Sequence, residues 1–406
     1  MTKRRVASGS VSRHFAGHRP HSSMFFTLRR ATIVRRTVRS LRCNSTSSKP
    51  NAPKVVFSGI QPTGVPHLGN YLGALRQWRK LQDEAAPDDT LLYSIVDLHA
   101  ITIKQDPSQL RQWRKEMLAS LYAMGLNPDR AVIFCQSAVP QHAELMWILS
   151  CNASMGYLSR MTQWKSKLAL PSNANPLDPS PANKAALKLG LFSYPVLQAA
   201  DILLYGTTHV PVGEDQAQHL EFTRDIANGF NHLFAPSPSA PLLVSPQTIL
   251  SPAKRVMSLT EPTKKMSKSA PDPRSRILIT DSKEEITKKI KTALTDSTRG
   301  ISYDRESRPG VSNLLDIMYY MDESVASSPE ALAVEMKDVS LKALKEKVAE
   351  TIENSIKDVR EKYEAVMNEE DKHDGYLAKE AEEGATRASK LASLTVIKVK
   401  EAMGMI

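Results

Sequence analysis

Val55-Val-Phe-Ser-Gly-Ile-Gln-Pro-Thr-Gly-Val-Pro-His-Leu-Gly-Asn-Tyr-Leu-Gly-Ala-Leu75 is the stretch whose reading decides the fold. It opens with the apolar, β-branched run Lys54 to Phe57, ended by Ser58-Gly59. Such a run predicts a buried strand. Pro62, Gly64 and Pro66 then keep the backbone irregular. From Gly69 the spacing turns helical, with Leu72, Leu75 and Trp78 on one face. Strand, tight loop and helix follow in that order, and His67, Gly69 and Asn70 fall at the helix N-terminus. Free N–H groups and the positive dipole end suit such a terminus to phosphates, and glycine lets a ligand come close to the backbone. On these residues alone, a phosphate cradle and a purely structural turn are equally compatible.

A second stretch removes the balance. Lys265-Met-Ser-Lys-Ser269 stands 198 positions after His67-Leu-Gly-Asn70. The pair resembles, in order and context, the HIGH and KMSKS signatures of the class I aminoacyl-tRNA synthetases. Further blocks, Tyr194 to Tyr205 and His209 to Gln216, make residues 54 to 406 similar to the tryptophanyl-tRNA synthetases.

Outside that region, residues 1–50 carry ten Arg, two Lys and no acidic residue; the first is Asp83. Met24 to Arg42 mixes apolar residues with arginines as a rough basic amphipathic helix. This is the composition of a mitochondrial transit peptide, not of a secretory signal or a membrane span, so membrane insertion is not expected. A basic RNA-binding arm is the competing reading. The full chain has net charge +11, but removing the leader leaves 42 basic against 43 acidic residues. The high isoelectric point therefore belongs to the leader and is no argument for nucleic-acid binding. Cys135 and Cys151 lack partners at metal-ligand spacing, so neither a zinc site nor a disulfide scaffold is expected, and no metal ligand is assigned.

Strand-like runs at Thr90 onward and Ala131 to Phe134 alternate with helical spacing over Pro107 to Gly125 and Gln141 to Cys151. Repeated βα alternation without hairpin signals predicts an α/β fold: a doubly wound, parallel, Rossmann-like sheet. Ligands of such sheets sit beyond the carboxyl ends of the strands, where Ser58 to Asn70, Asp97 to His99 and Gln136-Ser137 would gather. His99 by itself reads as a helix cap or a core histidine. Leu170 to Asn183, with four prolines, and Leu233 to Pro252, rich in Pro and Ser, read as loops. From Asp281 on, apolar residues from Leu341 to Val366 repeat every three or four positions, and Leu377, Ala381, Gly384 and Ala388 begin a small-residue stripe. An antiparallel C-terminal helical domain is expected. The organisation is thus a transit peptide over 1–50, a catalytic domain over 51–280 and a helical domain over 281–406. Residues 301–406 hold 15 basic and 22 acidic residues. Any RNA contact there must come from a local patch or from base stacking.

The resemblance assigns roles residue by residue. Activation of L-tryptophan by ATP needs no nucleophilic side chain, because the amino-acid carboxylate is the nucleophile; the enzyme aligns it and neutralises charge on the departing pyrophosphate. His67, Asn70, Lys265 and Lys268 are the expected catalytic group, with Mg²⁺ carried by ATP. ATP contacts are implied at Gln61, Pro62, Thr63, Gly69, Asn70, Gly213, Glu214, Asp215, Val256, Lys265, Met266, Ser267, Lys268 and Ser269. Tryptophan contacts are implied at Phe57, Gly59, Tyr194, Gln198, Asp201, Val210, Val212 and Gln216. Arg160, Lys165 and Lys167 match a block near the phosphates, or are surface charge. Read without the family, Asp201 is a lone carboxylate in an apolar helix and demands an internal donor. With the family, it accepts the indole N–H. Gln198 departs from the Met usual in bacterial members and is closer to the tyrosyl enzymes. Transfer of tryptophan to tRNA(Trp) in the mitochondrial matrix, by a homodimer, completes the expectation. A tyrosyl-tRNA synthetase-like enzyme and a catalytically retired RNA-binding or splicing factor are the alternatives.

Overall fold

The structure, a computed structural model, describes residues 52–168, 187–213, 216–250, 255–268, 270–373 and 375–406. The leader, the proline-rich loop over 170–183, Glu214, Asp215 and Ser269 lie outside the described residues. Five strands form one parallel sheet in the order β3-β2-β1-β4-β5: β1 Val55–Ile60, β2 Thr90–Ile95, β3 Val132–Cys135, β4 His209–Val212 and β5 Gln247–Leu250. β1 leads outward to β2 and β3 on one side, and β4 and β5 extend on the other. The strand order reverses between β1 and β4, and the crevice at that reversal is where open α/β sheets bind ligands.

Successive side chains of a strand face opposite ways, and both faces of a parallel sheet are covered, so each strand feeds two cores. Val56, Leu91, Tyr93 and Ile133 face a core that includes Leu75, Trp78, Met117 and Leu121 from the helices at Arg76–Glu84 and Pro107–Ala123. Phe57, Leu92, Val132 and Phe134 face the other, with Leu145, Leu149, Ala199 and Leu203 from the helices Gln141–Ser150 and Leu189–Leu203. Trp78 stacks flat on Tyr93 at 4.6 Å, and the Tyr93 hydroxyl donates to the Trp78 carbonyl at 3.0 Å.

The sequence reading of 233–252 as a loop is corrected at both ends. The helix Ala217–Phe234 runs into it, and β5 pairs in parallel with β4. β5 is a four-residue edge strand, only partly buried and bracketed by Pro246 and Pro252, so it lacks the alternation or apolar run that reveals an inner strand.

Residues 52–406 form one compact unit. The helices Lys283–Lys291, Pro309–Met321, Pro329–Glu335 and Leu341–Lys372 extend the first core, through Ile286, Leu314, Leu344, Val348 and Ile352. The last helix, Tyr376–Ala402, sends Ala388, Ala392 and Val396 into the second. Its small-residue stripe lies mainly against strand β3. At Gly384 an added Cβ would stand 1.8 Å from the Ile133 carbonyl oxygen. Helix propensity favours Gly384→Ala by about 1 kcal/mol, whereas an overlap with immobile backbone costs about 1–3 kcal/mol, occasionally more. The clash wins: Gly384→Ala is expected to lower the denaturant midpoint by the equivalent of about 1–2 kcal/mol, and an unchanged or raised midpoint would show that this helix does not sit tightly on β3.

Candidate active site

β1 ends in the irregular loop 61–66, and His67 then caps the helical segment that follows. Its Nδ1 accepts from the Asn70 N–H at 3.3 Å, while the His67 N–H donates to Asn70 Oδ1 at 3.2 Å. This reciprocal box fixes both side chains. It also accounts for Gly69 on packing grounds, because a Cβ there would lie 2.8 Å from the His67 ring. After Leu68–Asn70 the helix widens to π spacing over Tyr71–Leu75 before Arg76–Glu84, a local irregularity frequent at functional sites. Burial, followed by the charges of Lys268, Lys265 and Arg276, lowers the His67 pKa to about 3. His67 is therefore neutral, and with Nδ1 accepting, its remaining proton sits on Nε2.

The second motif is tied to the first by backbone. Leu68 N–H donates to the Ile277 carbonyl at 2.9 Å and Ile279 N–H to the Pro66 carbonyl at 3.0 Å. Upstream, Met257 and Lys265 form an antiparallel bridge, with Met266 N–H on the Val256 carbonyl at 3.0 Å. Lys268 Nζ donates to the carbonyls of Thr63 at 3.0 Å and Gly64 at 2.6 Å. Burial is the main influence on this ammonium and lowers its pKa to about 7; Glu116 opposes the shift and Arg276 adds to it.

A cavity of about 530 Å³ opens where β1 and β4 diverge. Phe57, Gly59, Val210 and Val212 line it from the strands, and Tyr194, Gln198, Asp201 and Gln216 from the helices beyond. Gln61, Gly69, Asn70, Gly213, Val256 and Lys265 line it from the two motif segments and the β4 turn. The structure thus brings fourteen of the expected residues to one cavity. Pro62, Thr63, His67, Met266, Ser267 and Lys268 are not on its wall; Met266 is a core residue beside Val256. Gln198 Nε2 donates to Gln216 Oε1 at 3.2 Å, and the Tyr194 hydroxyl donates to Gln163 Oε1 at 3.3 Å. Lys167 lies over the Tyr194 ring at 4.7 Å, within cation–π range.

Asp201 is buried on the wall of this cavity and has three internal partners. Its Oδ1 accepts from Gln136 Nε2 at 2.6 Å and pairs with His142 Nδ1 at 2.7 Å; its Oδ2 pairs with His99 Nε2 at 2.7 Å. Burial alone would raise this carboxyl, but the bonds from His142 and His99 outweigh it and hold the pKa at about 2. The internal donor that the isolated carboxylate demanded is therefore present threefold. His99, on the short helix Asp97–Ala100 after β2, is a buried histidine that also faces the cavity. Among the described residues, no three His, Cys, Asp or Glu side chains converge as metal ligands, and no helix is long and apolar enough to cross a membrane.

The family model for tRNA synthetases class I (W and Y) matches residues 49–357. The chain belongs to this family. The mitochondrial tryptophan–tRNA ligase of Schizosaccharomyces pombe is 45% identical over 354 residues, covering 86% of this chain and 95% of the relative. The corresponding Saccharomyces cerevisiae protein is 43% identical over 374 residues, covering 89% and 93%. Among solved structures, tryptophanyl-tRNA synthetase from Mycoplasma pneumoniae superimposes with a TM-score of 0.72 at 32% identity, over 86% of this chain and 98% of that one. The Campylobacter jejuni enzyme, complexed with ADP and tryptophan, gives 0.66 at 32% identity, over 86% and 99%.

In this synthetase several wall residues escape the sequence reading. Arg255 and Gln163 line the cavity, and Asp201 is held from behind by His142 and by Gln136, which was placed at the crevice but not assigned to this carboxylate. One signal pointed to the latter pair: a carboxylate in an apolar helix requires donors, and Gln136 falls at the carboxyl end of a strand.

Because the folded state disfavours the Lys268 proton, the sign of its stability effect follows. Above the unfolded lysine pKa of about 10.4 the amine is neutral in both states and contributes nothing. As pH falls to about 7, the unfolded chain binds the proton first, so the folded state loses stability; below that, the loss is constant. Lys268→Met should therefore gain melting temperature over the unsubstituted protein progressively from pH 10 down to 7. A difference that does not vary with pH in thermal melts would show that Nζ is not desolvated.

Proposed function

We propose that this synthetase is a mitochondrial tryptophan–tRNA ligase. The observation that carries the reading is the Asp201 carboxylate on a wall that also presents the apolar side chains of Phe57, Ile202, Val210 and Val212. A carboxylate offers about four acceptor positions; Gln136, His142 and His99 use three, which leaves one on Oδ2 for an incoming N–H. The indole N–H is the only polar group on the tryptophan side chain, and Phe57, Val210 and Val212 offer apolar surface to the ring. The names of the relatives support the same amino acid, and the ADP and tryptophan of the C. jejuni structure support a site that takes a nucleotide beside it.

In the first step the tryptophan carboxylate attacks the α-phosphorus of ATP. The bond to the bridging oxygen breaks, and pyrophosphate leaves with the electron pair. In the second, a hydroxyl of the terminal adenosine of tRNA(Trp) attacks the carbonyl carbon of the adenylate, and AMP departs. The chain supplies placement and charge. Asn70, Gly69 and Gln61 present polar groups to the phosphates at the end of β1, and Lys265 presents an ammonium from the facing segment. Neutral His67 holds Asn70 in place and offers Nε2–H. Lys268 leaves the Thr63 and Gly64 carbonyls to meet charge developing on pyrophosphate, a proposed movement that restores its ordinary protonation. Pro62, Thr63, Met266 and Ser267 shape the two loops, and Glu214, Asp215 and Ser269 are assigned to ATP as well. Mg²⁺ arrives with ATP, and its charge supplements the lysines.

The helices over 281–406 are assigned to tRNA. The acidic balance there directs that contact to a local patch. Trp147, 72% exposed, and Met155 lie on consecutive helices as large uncovered apolar side chains, and a homodimer covering them belongs to this reading. The basic leader and the mitochondrial relatives support delivery to the matrix.

Pyrophosphate exchange with Trp, Tyr and Phe tests the amino-acid assignment. A site with a buried acceptor rejects an analogue lacking the donor by roughly 10⁴–10⁵. Asp201→Ala should lose most tryptophan activity and narrow its preference over Phe sharply, whereas Asp201→Asn keeps a carbonyl acceptor and should lose selection only in part. Undiminished discrimination by Asp201→Ala would make the carboxylate structural, and faster exchange with Tyr than with Trp would transfer the protein to the tyrosyl branch.

Lys268 separates chemistry from binding. Loss of a group that acts only in the transition state costs about 10²–10³ in kcat. Lys268→Ala should show this loss in adenylate formation while the dissociation constant of tryptophan stays within about twofold. Parallel losses in both would place Lys268 in the framework of the loop instead.

A further inference from the structure

Behind Asp201 stands a second layer of polar residues that the proposed chemistry does not use. His142, fully buried in the first turn of the helix Gln141–Ser150, bridges Asp201 Oδ1 through Nδ1 at 2.7 Å and the Tyr205 hydroxyl through Nε2 at 2.8 Å. Neither His142 nor Tyr205 lines the cavity. The direction of the bond to Asp201 follows from chemistry. Asp201 is ionised and only accepts, so the His142 imidazole carries a proton on Nδ1 and donates it to Oδ1. Burial, and secondarily Asp201, pushes the Tyr205 phenol up, so its hydroxyl keeps its proton and stays a neutral partner to Nε2. Three groups therefore form one connected chain, Tyr205 to His142 to Asp201.

The chain acts on one oxygen of the carboxylate. Gln136 is oriented by the Leu98 N–H, which donates to its Oε1 at 3.1 Å, and this leaves its amide nitrogen for Oδ1. With His142 also on Oδ1, that oxygen is saturated, and the unused acceptor position falls on Oδ2. Tyr205 further stacks on Phe57, which does line the cavity, with ring centroids 5.7 Å apart and planes at 15°. The acceptor and the aromatic wall thus share one support.

We propose that His142 and Tyr205 are positioning residues for amino-acid selection, which lock the carboxylate of Asp201 so that its single free acceptor position addresses a ring N–H in the cavity. The inference rests on the tryptophan reading above, and its test is arranged to fail separately from it. The probe is pyrophosphate exchange with tryptophan against its benzothiophene isostere, in which sulfur replaces the ring N–H at nearly the same shape. The unsubstituted enzyme should prefer tryptophan strongly in kcat/KM; absence of any preference would sink the Asp201 reading itself.

With that preference established, His142→Gln, whose amide cannot occupy the Nδ1 position, should lower the ratio at least tenfold, chiefly through loss of tryptophan activity. Tyr205→Phe keeps the stack on Phe57 but removes the hydroxyl, leaves Nε2 without its partner so that the ring is held less firmly, and should lower the ratio severalfold. His142→Asn, whose amide nitrogen falls near the place of Nδ1, should keep more of the ratio than His142→Gln. The KM for ATP should stay within about threefold throughout. An unchanged ratio in His142→Gln, or in Tyr205→Phe should His142→Gln not fold, would overturn the proposal even if overall rates fall, because a merely structural role lowers both amino acids together.

Discussion

Two backbone hydrogen bonds, Leu68 N–H to the Ile277 carbonyl and Ile279 N–H to the Pro66 carbonyl, hold together chain segments some two hundred residues apart, and the site exists because of them. In a parallel sheet every strand leaves from the same edge, so the loops that could carry chemistry gather there but have no ladder of their own. The short antiparallel contact supplies one. It sets the segment Val256–Lys268 beside the capped turn at His67, so that Asn70 and Lys265 both reach the same cavity. It also brings Lys268 within reach of the Thr63 and Gly64 carbonyls.

The cost of this arrangement is electrostatic. Lys265, Lys268 and Arg276 all bear on one buried imidazole, and none of them has a carboxylate from the two motifs to answer it. The chain keeps His67 neutral and lets the Lys268 amine shed its proton near neutral pH. A polyphosphate would reverse that balance by supplying the missing negative charge. The resting state is thus held short of anions, which is the condition under which an anionic substrate gains most from binding.

Legibility from sequence followed the range of the interactions. β1, β2 and β3 were readable because strands buried on both faces become continuous apolar runs, and the turn at His67 was readable because its capping partners lie three residues apart. β5 was not, since an exposed four-residue edge strand between prolines carries neither signal. The small-residue stripe at Gly384 was visible as a close-packing surface, but nothing in it distinguished a helix from the β3 backbone as the object packed against. Gln136 was legible only as a residue of the crevice, and His142 and Tyr205 were hidden, for a different reason: each is ordinary in its own segment, and Gln136 and His142 acquire their role only against a carboxylate 59 to 65 residues away.

That last case separates two ideas that a motif alone merges. A buried carboxylate with three internal donors is what stability requires, and a carboxylate with an acceptor position facing a cavity is what recognition requires. Taken singly, the donors on Asp201 argue that it is satisfied and structural. Counted by oxygen, they do not: the two on Oδ1 exhaust it, and the one on Oδ2 leaves room. The same bonds that make it tolerable to bury the charge also decide which of its lone pairs stays available. Leaving a buried polar group without its partner costs about 1–3 kcal/mol, and more for a charged one, so the carboxylate has little freedom to turn when a ligand without an N–H enters. Rigidity of that kind converts an unsatisfied acceptor into a penalty the wrong amino acid cannot escape, and it is bought in residues that never touch the substrate.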